Sequence, residues 1–293
     1  GLDPTNFSNV TDAMDTFNHV LPEAKAALDV ACWDLTGKKT NKSVVELLGG
    51  TLSDAVITYH VIGITSPEDA AEDAMRLQEL GITRIQLKAG GRSIEEDIAC
   101  IHAVASVLLE ETSLDVDTNR GWTIAEALKV SEACSSISMS MEQPCATEEE
   151  LRHLKPLIYH PLIIDESATD AATISKLIDD EIADGFGMKI TRVGGLTPMK
   201  TIRDLCVEKS IPMSSDDAWG GDIIAAAGVA LAATMPRNLN RGAWLAHPYH
   251  QVHYDLVNGP RVQNGQVPLP KGGPGLGLLI ADGFFGKPEA IYE

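Results

Sequence analysis

The 293-residue sequence lacks any long uninterrupted apolar run, although 44% of its residues are hydrophobic. A helix that crosses a bilayer needs roughly 20 consecutive apolar residues, so we expect no membrane span. The first 15 residues, GLDPTNFSNVTDAMD, are polar, and we therefore expect no secretory leader.

Basic residues are also scarce, with 23 Lys and Arg against 42 Asp and Glu and a net charge of −19. Such a chain repels nucleic acid and anionic membranes, which favours a small molecule or another protein as partner. The five cysteines are odd in number and form no CxxC pair, so we expect reduced thiols in a cytoplasmic protein.

From residue 55 onward, short apolar runs alternate with longer amphipathic segments. The runs are AVITYHVIGI, ITRIQLKAG, SLDVDTN, SMSMEQP, PLIIDES, GFGMKITRVGG, IPMSSDD and LNRGAWLA. Strands that alternate with helices indicate a parallel sheet, and eight units of roughly 25 residues match a closed β/α barrel. We predict this barrel over residues 55–250, with the apolar segment DIIAAAGVALAATMP as a helix packed against it.

The two ends of the chain differ from this repeat. Residues 1–54 predict two helices broken near Pro22 and a short helix, VVELLGG, ended by paired glycines. Residues 251–293 are rich in Gly and Pro, and we expect them to return as an extended wrap toward the N-terminal helices.

Carboxylates stand at the ends of three successive predicted strands, in VDTN, MEQP and IIDES. Asp117, Glu142 and Asp165 are 25 and 23 residues apart, one β/α unit each. The carboxyl ends of barrel strands form the active site, and three anions gather there only around a cation. All-oxygen donors favour Mg²⁺, so we predict these three as magnesium ligands, with Glu166 as a hydrogen-bonded partner of the ligands.

Two lysines flank the acids in the same register. Lys88 ends strand two (QLKAG) and Lys189 lies in strand six (MKITR). A magnesium ion and neighbouring positive charge would lower a lysine pKa toward neutrality and make it a general base. Two such bases can remove an α-proton from one face of a metal-bound carboxylate and return it on the other, with the metal stabilising the enediolate.

Simpler explanations exist for each residue taken alone. A strand-end Asp is more often a helix cap than a ligand, and Asn119 and Gln143 could satisfy loop backbone. Five charged residues in register at successive strand ends favour the site. His247, His250 and His253 suggest zinc, but spacing by three in a Pro-containing stretch fits no standard pattern, and we expect surface histidines.

Taken together, QLK, VDTN, MEQP, DES and MKI, with ALDVACWDLTGK and LLGG before them, resemble the enolase superfamily, in particular the mandelate racemase/muconate lactonizing enzyme family. The resemblance implies a (β/α)7β TIM-like barrel with Mg²⁺ as cofactor. Strand seven has no histidine, which favours the lysine–lysine arrangement of the muconate-lactonising type. Family members begin with a three-stranded sheet that supplies a specificity loop, so residues 1–54 resemble an incomplete, mainly helical capping region.

Within the family, EQPCAT, KITRVGGLT and DDAWGGD look like the 4-hydroxyproline betaine 2-epimerases, with the cis-3-hydroxyproline dehydratases close by. The resemblance implies that Trp219 stacks on the substrate's ammonium, with Asp216 or Asp217 near the same cation. Trp219 could instead only fill the barrel mouth. Gln86 replaces the lysine that usually stands two residues before the base, and we expect Gln86 and Asn119 to contact substrate.

These residues predict an isomerase that epimerises a proline betaine or a related cyclic amino acid. A dehydratase of the cis-3-hydroxyproline type is the second hypothesis, followed by a muconate-type cycloisomerase or a dipeptide epimerase. The last is disfavoured because strand eight, GAWLAHPY, has no paired acids for a free ammonium. A non-catalytic barrel homologue is the alternative from another class. We also expect a homo-oligomer.

Overall fold

The computed structural model describes residues 1–17 and 21–290. Three helices come first: α1 (Phe7–Phe17), α2 (Pro22–Thr40) and α3 (Val44–Leu47). Proline suits the start of α2, where its missing N–H leaves no helical hydrogen bond unmade. The helices predicted on either side of Pro22 and before the paired glycines are confirmed, and the junction at 18–20 lies outside the described residues.

Strands and helices then alternate. The strands are β1 (Ala55–Ile57), β2 (His60–Ile62), β3 (Arg84–Lys88), β4 (Ser113–Asp117), β5 (Met139–Glu142), β6 (Leu162–Ile164), β7 (Gly185–Phe186) and β8 (Gln266–Pro268). The helices are α4 (Pro67–Glu79), α5 (Ile94–Ala105), α6 (Ile124–Ala133), α7 (Glu148–Leu154), α8 (Ala171–Asp179), α9 (Ile190–Val193), α10 (Leu196–Glu208) and α11 (Gly221–Ala232). Strands β2 to β7 form one parallel sheet in chain order.

Single bridges close this sheet into a barrel. Phe186 bridges Met213, Met213 bridges Asn240, and Ala243 bridges Thr58, just before β2. The runs at 211–217 and 239–246 therefore occupy the seventh and eighth positions around the barrel, although they are too irregular to form full ladders. The predicted barrel is confirmed. The domain boundaries after residues 54 and 250 and the homo-oligomer stay predictions.

Two predicted strands are wrong in part. The run at 55–64 is not one strand, because β1 leaves the barrel and pairs antiparallel with β8, with Ala55 opposite Pro268. Lys189 does not lie within a strand either, since β7 ends at Phe186 and Lys189 directly precedes α9. One bridge to Asp216 still ties Lys189 to the seventh barrel position.

Capping boxes determine where three of the barrel helices begin. A Ser or Thr accepts the backbone N–H three residues on, and the Glu at that position accepts the cap's own N–H. The pairs are Ser93 with Glu96, Thr123 with Glu126, and Thr147 with Glu150. These caps fix short connections after β3, β4 and β5, so the side chains at those strand ends have little freedom to move.

A layer of charged side chains crosses the barrel interior, closer to the amino ends of the strands than the site residues Lys88 and Asp117. Arg84 and Arg241 both pair with Asp115, and the Arg84 guanidinium lies 3.9 Å from the centre of the Tyr59 ring. Burial alone would raise the pKa of Asp115, but the two arginine charges outweigh it and hold that pKa well below its usual range. The three side chains therefore form a charged layer across the barrel.

The apolar helix predicted between the seventh and eighth barrel positions is confirmed as α11, which is buried along almost its whole length. Gly228 lets this helix approach the backbone of Ser215, because a Cβ there would already lie 3.3 Å from the Ser215 carbonyl oxygen. In the part of the chain that the structure describes, no helix has both the length and the apolar character needed to span a bilayer.

Candidate active site

Three buried carboxylates stand side by side at the carboxyl end of the barrel. Asp117 ends β4, Glu142 ends β5 and Asp165 directly follows β6. The strand register sets Asp117 beside Glu142, and Glu142 beside Ile163, two residues before Asp165. Each of the three is at most 3% exposed. The spacing by whole β/α units thus brings the predicted ligand residues to one place.

A cavity of about 570 Å³ opens over these carboxylates. Ten of the eleven side chains predicted for the site line it: Gln86, Lys88, Asp117, Asn119, Glu142, Asp165, Lys189, Asp216, Asp217 and Trp219. Glu166 is the exception and contacts the site through Asn119. Tyr59, Trp244 and Tyr249 also line the cavity and were missed from the sequence.

Lys88 is held on one side of the cavity by two neighbours. Its amine pairs with Asp117 and donates to Asn119 Oδ1 at 3.0 Å. The Asn119 backbone N–H donates to Asp117 Oδ1 at 2.8 Å, and its side-chain amide donates to Glu166 Oε1 at 3.1 Å. Among the described residues, Glu166 Oε2 is buried with no hydrogen-bond partner. Glu166 therefore orients the loop that positions Lys88.

Lys189 lies beside a different carboxylate. Its amine donates to both oxygens of Asp165, at 2.8 and 2.6 Å. Arg192, the third residue of α9, also pairs with Asp165 and donates to the Gly187 carbonyl oxygen at 2.5 Å. Arg192 was missed from the sequence, although its place in KITRVGG, three residues after Lys189, is a signal for a side chain on the same helical face.

Neighbouring charges shift the pKa values of Asp165 and Lys189 in opposite directions. Burial alone would raise the pKa of Asp165, but Arg192 and Lys189 outweigh it and lower that pKa. Burial alone would lower the pKa of Lys189, but the charge of Asp165 outweighs it and raises that pKa. The lowered lysine pKa expected from the sequence depends on a bound cation and stays a prediction, whereas the raised pKa described here comes from the direct partner Asp165.

Of the three carboxylates, Glu142 has no salt bridge to a Lys, Arg or His among the residues that the structure describes. It accepts a hydrogen bond from Gln86 Nε2 at 2.9 Å, and its pKa is raised well above the usual range by burial and by the charges of Asp117 and Asp165. Gly187 leaves room for it, because a Cβ there would lie 3.3 Å from Glu142 Oε1. A cation that reached Glu142 would therefore relieve an unfavourable buried charge.

An aromatic cluster forms one wall of the cavity. The Trp219 ring meets Trp244 edge to face at 5.4 Å between centroids and Tyr249 at 5.7 Å. Trp219 is 61% exposed and has a φ of 66°, a left-handed conformation that strains a side chain of this size. Trp244 is more enclosed. In a chain with only 5% aromatic residues, a Trp at the eighth strand end was the signal that could have found it.

Asp216 and Asp217 hold the loops around this aromatic wall. Asp217 accepts from the backbone N–H groups of Gly220 and Ala246, each at 3.1 Å, and burial raises its pKa. Asp216 accepts from Ser214 Oγ at 2.6 Å and from the Trp244 backbone N–H at 2.9 Å. Both carboxylates line the cavity, but their oxygens are engaged by the protein.

The three histidines at 247–253 lie outside the cavity and are partly buried, so the expectation of surface histidines is wrong in part. Their rings are 6.3 to 6.5 Å apart between neighbouring centroids, and His253 Nδ1 lies 3.6 Å from Asp222. Neither here nor among the active-site acids, within residues 1–17 and 21–290, are three His, Cys, Asp or Glu side chains already arranged as a metal cage. At the active site, Lys88, Lys189 and Arg192 pair with the acids instead.

Comparison with known proteins matches both parts of the chain. Residues 1–49 match the "Mandelate racemase / muconate lactonizing enzyme, N-terminal domain" model, and residues 69–283 match the "Enolase C-terminal domain-like" model. The chain belongs to the mandelate racemase/muconate lactonizing enzyme family. The enolase superfamily membership inferred from its motifs is thereby confirmed.

Several relatives in the mandelate racemase/muconate lactonizing enzyme family are close in sequence or structure. The cis-3-hydroxy-L-proline dehydratase of Roseibium aggregatum is 38% identical over the whole chain, which spans 79% of that enzyme. The N-succinyl-L-Arg/Lys racemase of Bacillus cereus is 31% identical over 68% of the chain, and the match spans 54% of that enzyme. A solved enolase-superfamily structure from Roseovarius nubinhibens complexed with magnesium superposes with a TM-score of 0.94 at 28% identity, covering 100% of this chain and 79% of the other.

Proposed function

We propose that this protein removes the proton α to the carboxylate of a cyclic amino acid and returns it on the opposite face, as an epimerase of proline betaine or a close analogue. The observation that carries the proposal is the placement of Lys88 and Lys189. β3 and β7 hold the second and sixth of eight positions around the closed barrel, so the two lysines start from opposite sides of it.

Opposite placement gives each lysine one face of the substrate. Both amines line the same cavity, Lys88 beside Asp117 and Lys189 beside Asp165. When one amine takes the α-proton, the carbon becomes planar, and the other ammonium can donate a proton from the far side. The hydrogen bond that Lys88 donates to Asn119 Oδ1 holds Lys88 in line, and the backbone bridge between Lys189 and Asp216 does the same for Lys189.

The donor set fits a hard divalent cation. Asp117, Glu142 and Asp165 would hold Mg²⁺, and the raised pKa of Glu142 marks a place where positive charge is needed. Bound there, Mg²⁺ supplies the positive charge that stabilises the negative charge developing on the substrate carboxylate as the α-proton leaves. The magnesium complex of the structural relative supports this assignment.

The aromatic wall supports a cationic substrate without N–H donors. A quaternary ammonium cannot donate a hydrogen bond, and the faces of Trp219, Trp244 and Tyr249 offer it a cation–π surface. The neighbouring carboxylates Asp216 and Asp217 add negative charge while their oxygens remain engaged by the protein.

Dehydration of a 3-hydroxyproline is the second candidate. It is favoured by the 38% identity with the Roseibium aggregatum dehydratase over the whole chain. The first step is the same removal of an α-proton, and the reactions diverge only when the substrate carries a β-hydroxyl leaving group.

Proton exchange in D₂O tests both candidates. The protein with Mg²⁺ should incorporate deuterium at the α-carbon of L- and of D-proline betaine, and ¹H NMR measures each rate. Lys88→Ala should abolish exchange of one enantiomer and Lys189→Ala that of the other, whereas Lys176→Ala, an exposed lysine of α8, should change neither. Loss of water from cis-3-hydroxy-L-proline without exchange of either betaine would instead establish the dehydratase. If both lysine variants still exchange both enantiomers, the two-base assignment is wrong.

A further inference from the structure

Helix α2 of the N-terminal region is hydrogen-bonded to the barrel at the turn that follows Lys189. Asp29 on this helix is 2% exposed, and its Oδ2 accepts the backbone N–H of Thr197 at 3.0 Å while its Oδ1 accepts the Thr197 hydroxyl. Trp33, one turn further along α2, donates its indole N–H to the same hydroxyl at 2.9 Å. Two side chains of α2 therefore converge on one residue of the barrel.

Asp29 approaches the backbone of Gly195 too closely for position 195 to carry a side chain. Gly195 has a φ of 133°, and a Cβ at this position would lie 2.4 Å from Asp29 Oδ2. Gly195 is also the N-cap of α10, and it has no side chain to satisfy the first N–H groups of that helix. Asp29 supplies the missing acceptor from α2, and its negative charge suits the helix N-terminus.

This turn is directly connected to the proposed base. Lys189 precedes α9, a single turn that ends at Val193, and Gly194 and Gly195 follow at once. The same turn carries Arg192, which binds Asp165 and the Gly187 carbonyl. A shift of the turn from α9 to α10 would thus move Lys189 and its charged neighbours together. Lys88 ends β3 and is held by the connection after β4, on the other side of the barrel.

We propose that Asp29 is a positioning residue for Lys189, and that it fixes one of the two bases while leaving the other unaffected. The inference rests on the proposed function, in which the lysines serve opposite faces of the substrate. It predicts an asymmetric defect when the Asp29 contact is removed.

Substitution can separate the charge of Asp29 from its hydrogen-bond acceptor oxygens. Burial raises its pKa despite the hydrogen bonds from Thr197, so the ionised group is held in an unfavourable place. An asparagine has nearly the same shape and keeps one acceptor oxygen. Asp29→Asn should therefore fold, with part of the positioning retained, whereas Asp29→Ala removes both acceptors.

Helix α2 offers a matched control. Asp34 also uses its carboxylate to hold a distant backbone amide, that of Leu276, at 2.9 Å. That contact reaches the C-terminal segment and not the turn after Lys189. Asp34→Ala removes a comparable contact from the same helix and should leave both lysines in place.

The first measurement is α-proton exchange of each proline betaine enantiomer in D₂O. With Asp29→Ala, exchange of the enantiomer that depends on Lys189 should fall about a hundredfold, the loss expected for a displacement of about 1 Å, and exchange through Lys88 should persist. Asp29→Asn should lie between this variant and the wild type, and Asp34→Ala should match the wild type. Equal losses for both enantiomers, or no loss for either, would overturn the inference.

The second measurement needs no substrate and separates this inference from the proposed function. Hydrogen–deuterium exchange of peptides, followed by mass spectrometry, should show faster amide exchange over 189–197 in Asp29→Ala and over 272–279 in Asp34→Ala. If the wild type exchanges neither betaine, the proposed function fails, and the 189–197 peptide alone decides whether Asp29 holds the turn. Unchanged protection there would overturn the inference.

Discussion

Gln86 donates its side-chain amide to Glu142 across 2.9 Å, and both side chains are buried. Gln86 lies two residues before Lys88 on β3, so both point to the same side of the strand. Gln86 thus orients Glu142 through a neutral hydrogen-bond donor. It adds no positive charge beside a carboxylate that we propose as a Mg²⁺ ligand.

Replacement of Gln86 should therefore weaken Mg²⁺ binding. We expect Gln86→Leu to reduce the affinity about tenfold, the lower end of the range for hydrogen-bond partners of metal ligands. Isothermal titration with MgCl₂ measures it, and Gln251→Leu, at an exposed position, is the control. An unchanged affinity would show that Glu142 needs no such partner.

Asp165→Asn should weaken Mg²⁺ binding more than tenfold. The substitution removes the negative charge that pairs with Lys189 and Arg192, which leaves two cations facing the incoming metal ion. The same titration applies, with Asp170→Asn as a control because Asp170 caps α8 and binds the hydroxyls of Thr169 and Thr173. If Asp165→Asn bound Mg²⁺ as tightly as the wild type, Asp165 would not be a ligand.

The two tryptophans should differ in their effect on a betaine. Cation–π contacts are worth about 2 kcal/mol when desolvated, or about thirtyfold in affinity, and roughly 0.5–1 kcal/mol when exposed. Trp244 is the more enclosed, so Trp244→Leu should cost about thirtyfold and Trp219→Leu about twofold to fivefold. The comparison ligand is 2,2-dimethylcyclopentane-1-carboxylate, which replaces the ammonium nitrogen by carbon. Equal losses for both ligands would mean that these rings only fill space.

Stability should fall in mild acid partly through His247. Burial, assisted by the charge of Arg261, lowers its pKa to about 4, against 6.5 for an unperturbed histidine. Below pH 6.5 the unfolded chain binds a proton that the folded protein rejects, so this contribution is complete above pH 6.5 and is lost as the pH falls toward 4. Urea unfolding at pH 7.5 and 5 should show a smaller loss for His247→Gln than for the wild type or for His153→Gln, whose side chain is exposed. A loss as large in His247→Gln would exclude this cause.

The barrel and its carboxylate triad could be predicted because both depend on local patterns. Apolar runs followed by S/T-x-x-E caps repeat along the chain, and parallel register then fixes Asp117 beside Glu142. The order of the strands alone was enough to predict that these residues lie together.

Other features depend on partners far away in sequence. β1 leaves the barrel because its partner is β8, more than 200 residues later, and no local pattern indicates that pairing. MKITR reads as a strand from its β-branched residues, yet ITRV forms α9, which packs against α2. Arg192 and Trp244 each left a local signal, but their roles depend on contacts with Asp165 and Trp219, which lie elsewhere in the fold.

The charged layer of Arg84, Asp115 and Arg241 also favours the correct register between strands as the barrel folds. A slip of one residue in the register of β3 or β4 would turn Arg84 or Asp115 to the opposite side of the sheet. Each would then be an isolated charge among aliphatic helix contacts, at a cost of several kcal/mol. Folding intermediates with the wrong strand register are thus less stable than they would be in a barrel with an all-aliphatic interior. The correct register in turn places Lys88, Asp117 and Glu142 side by side at the strand ends.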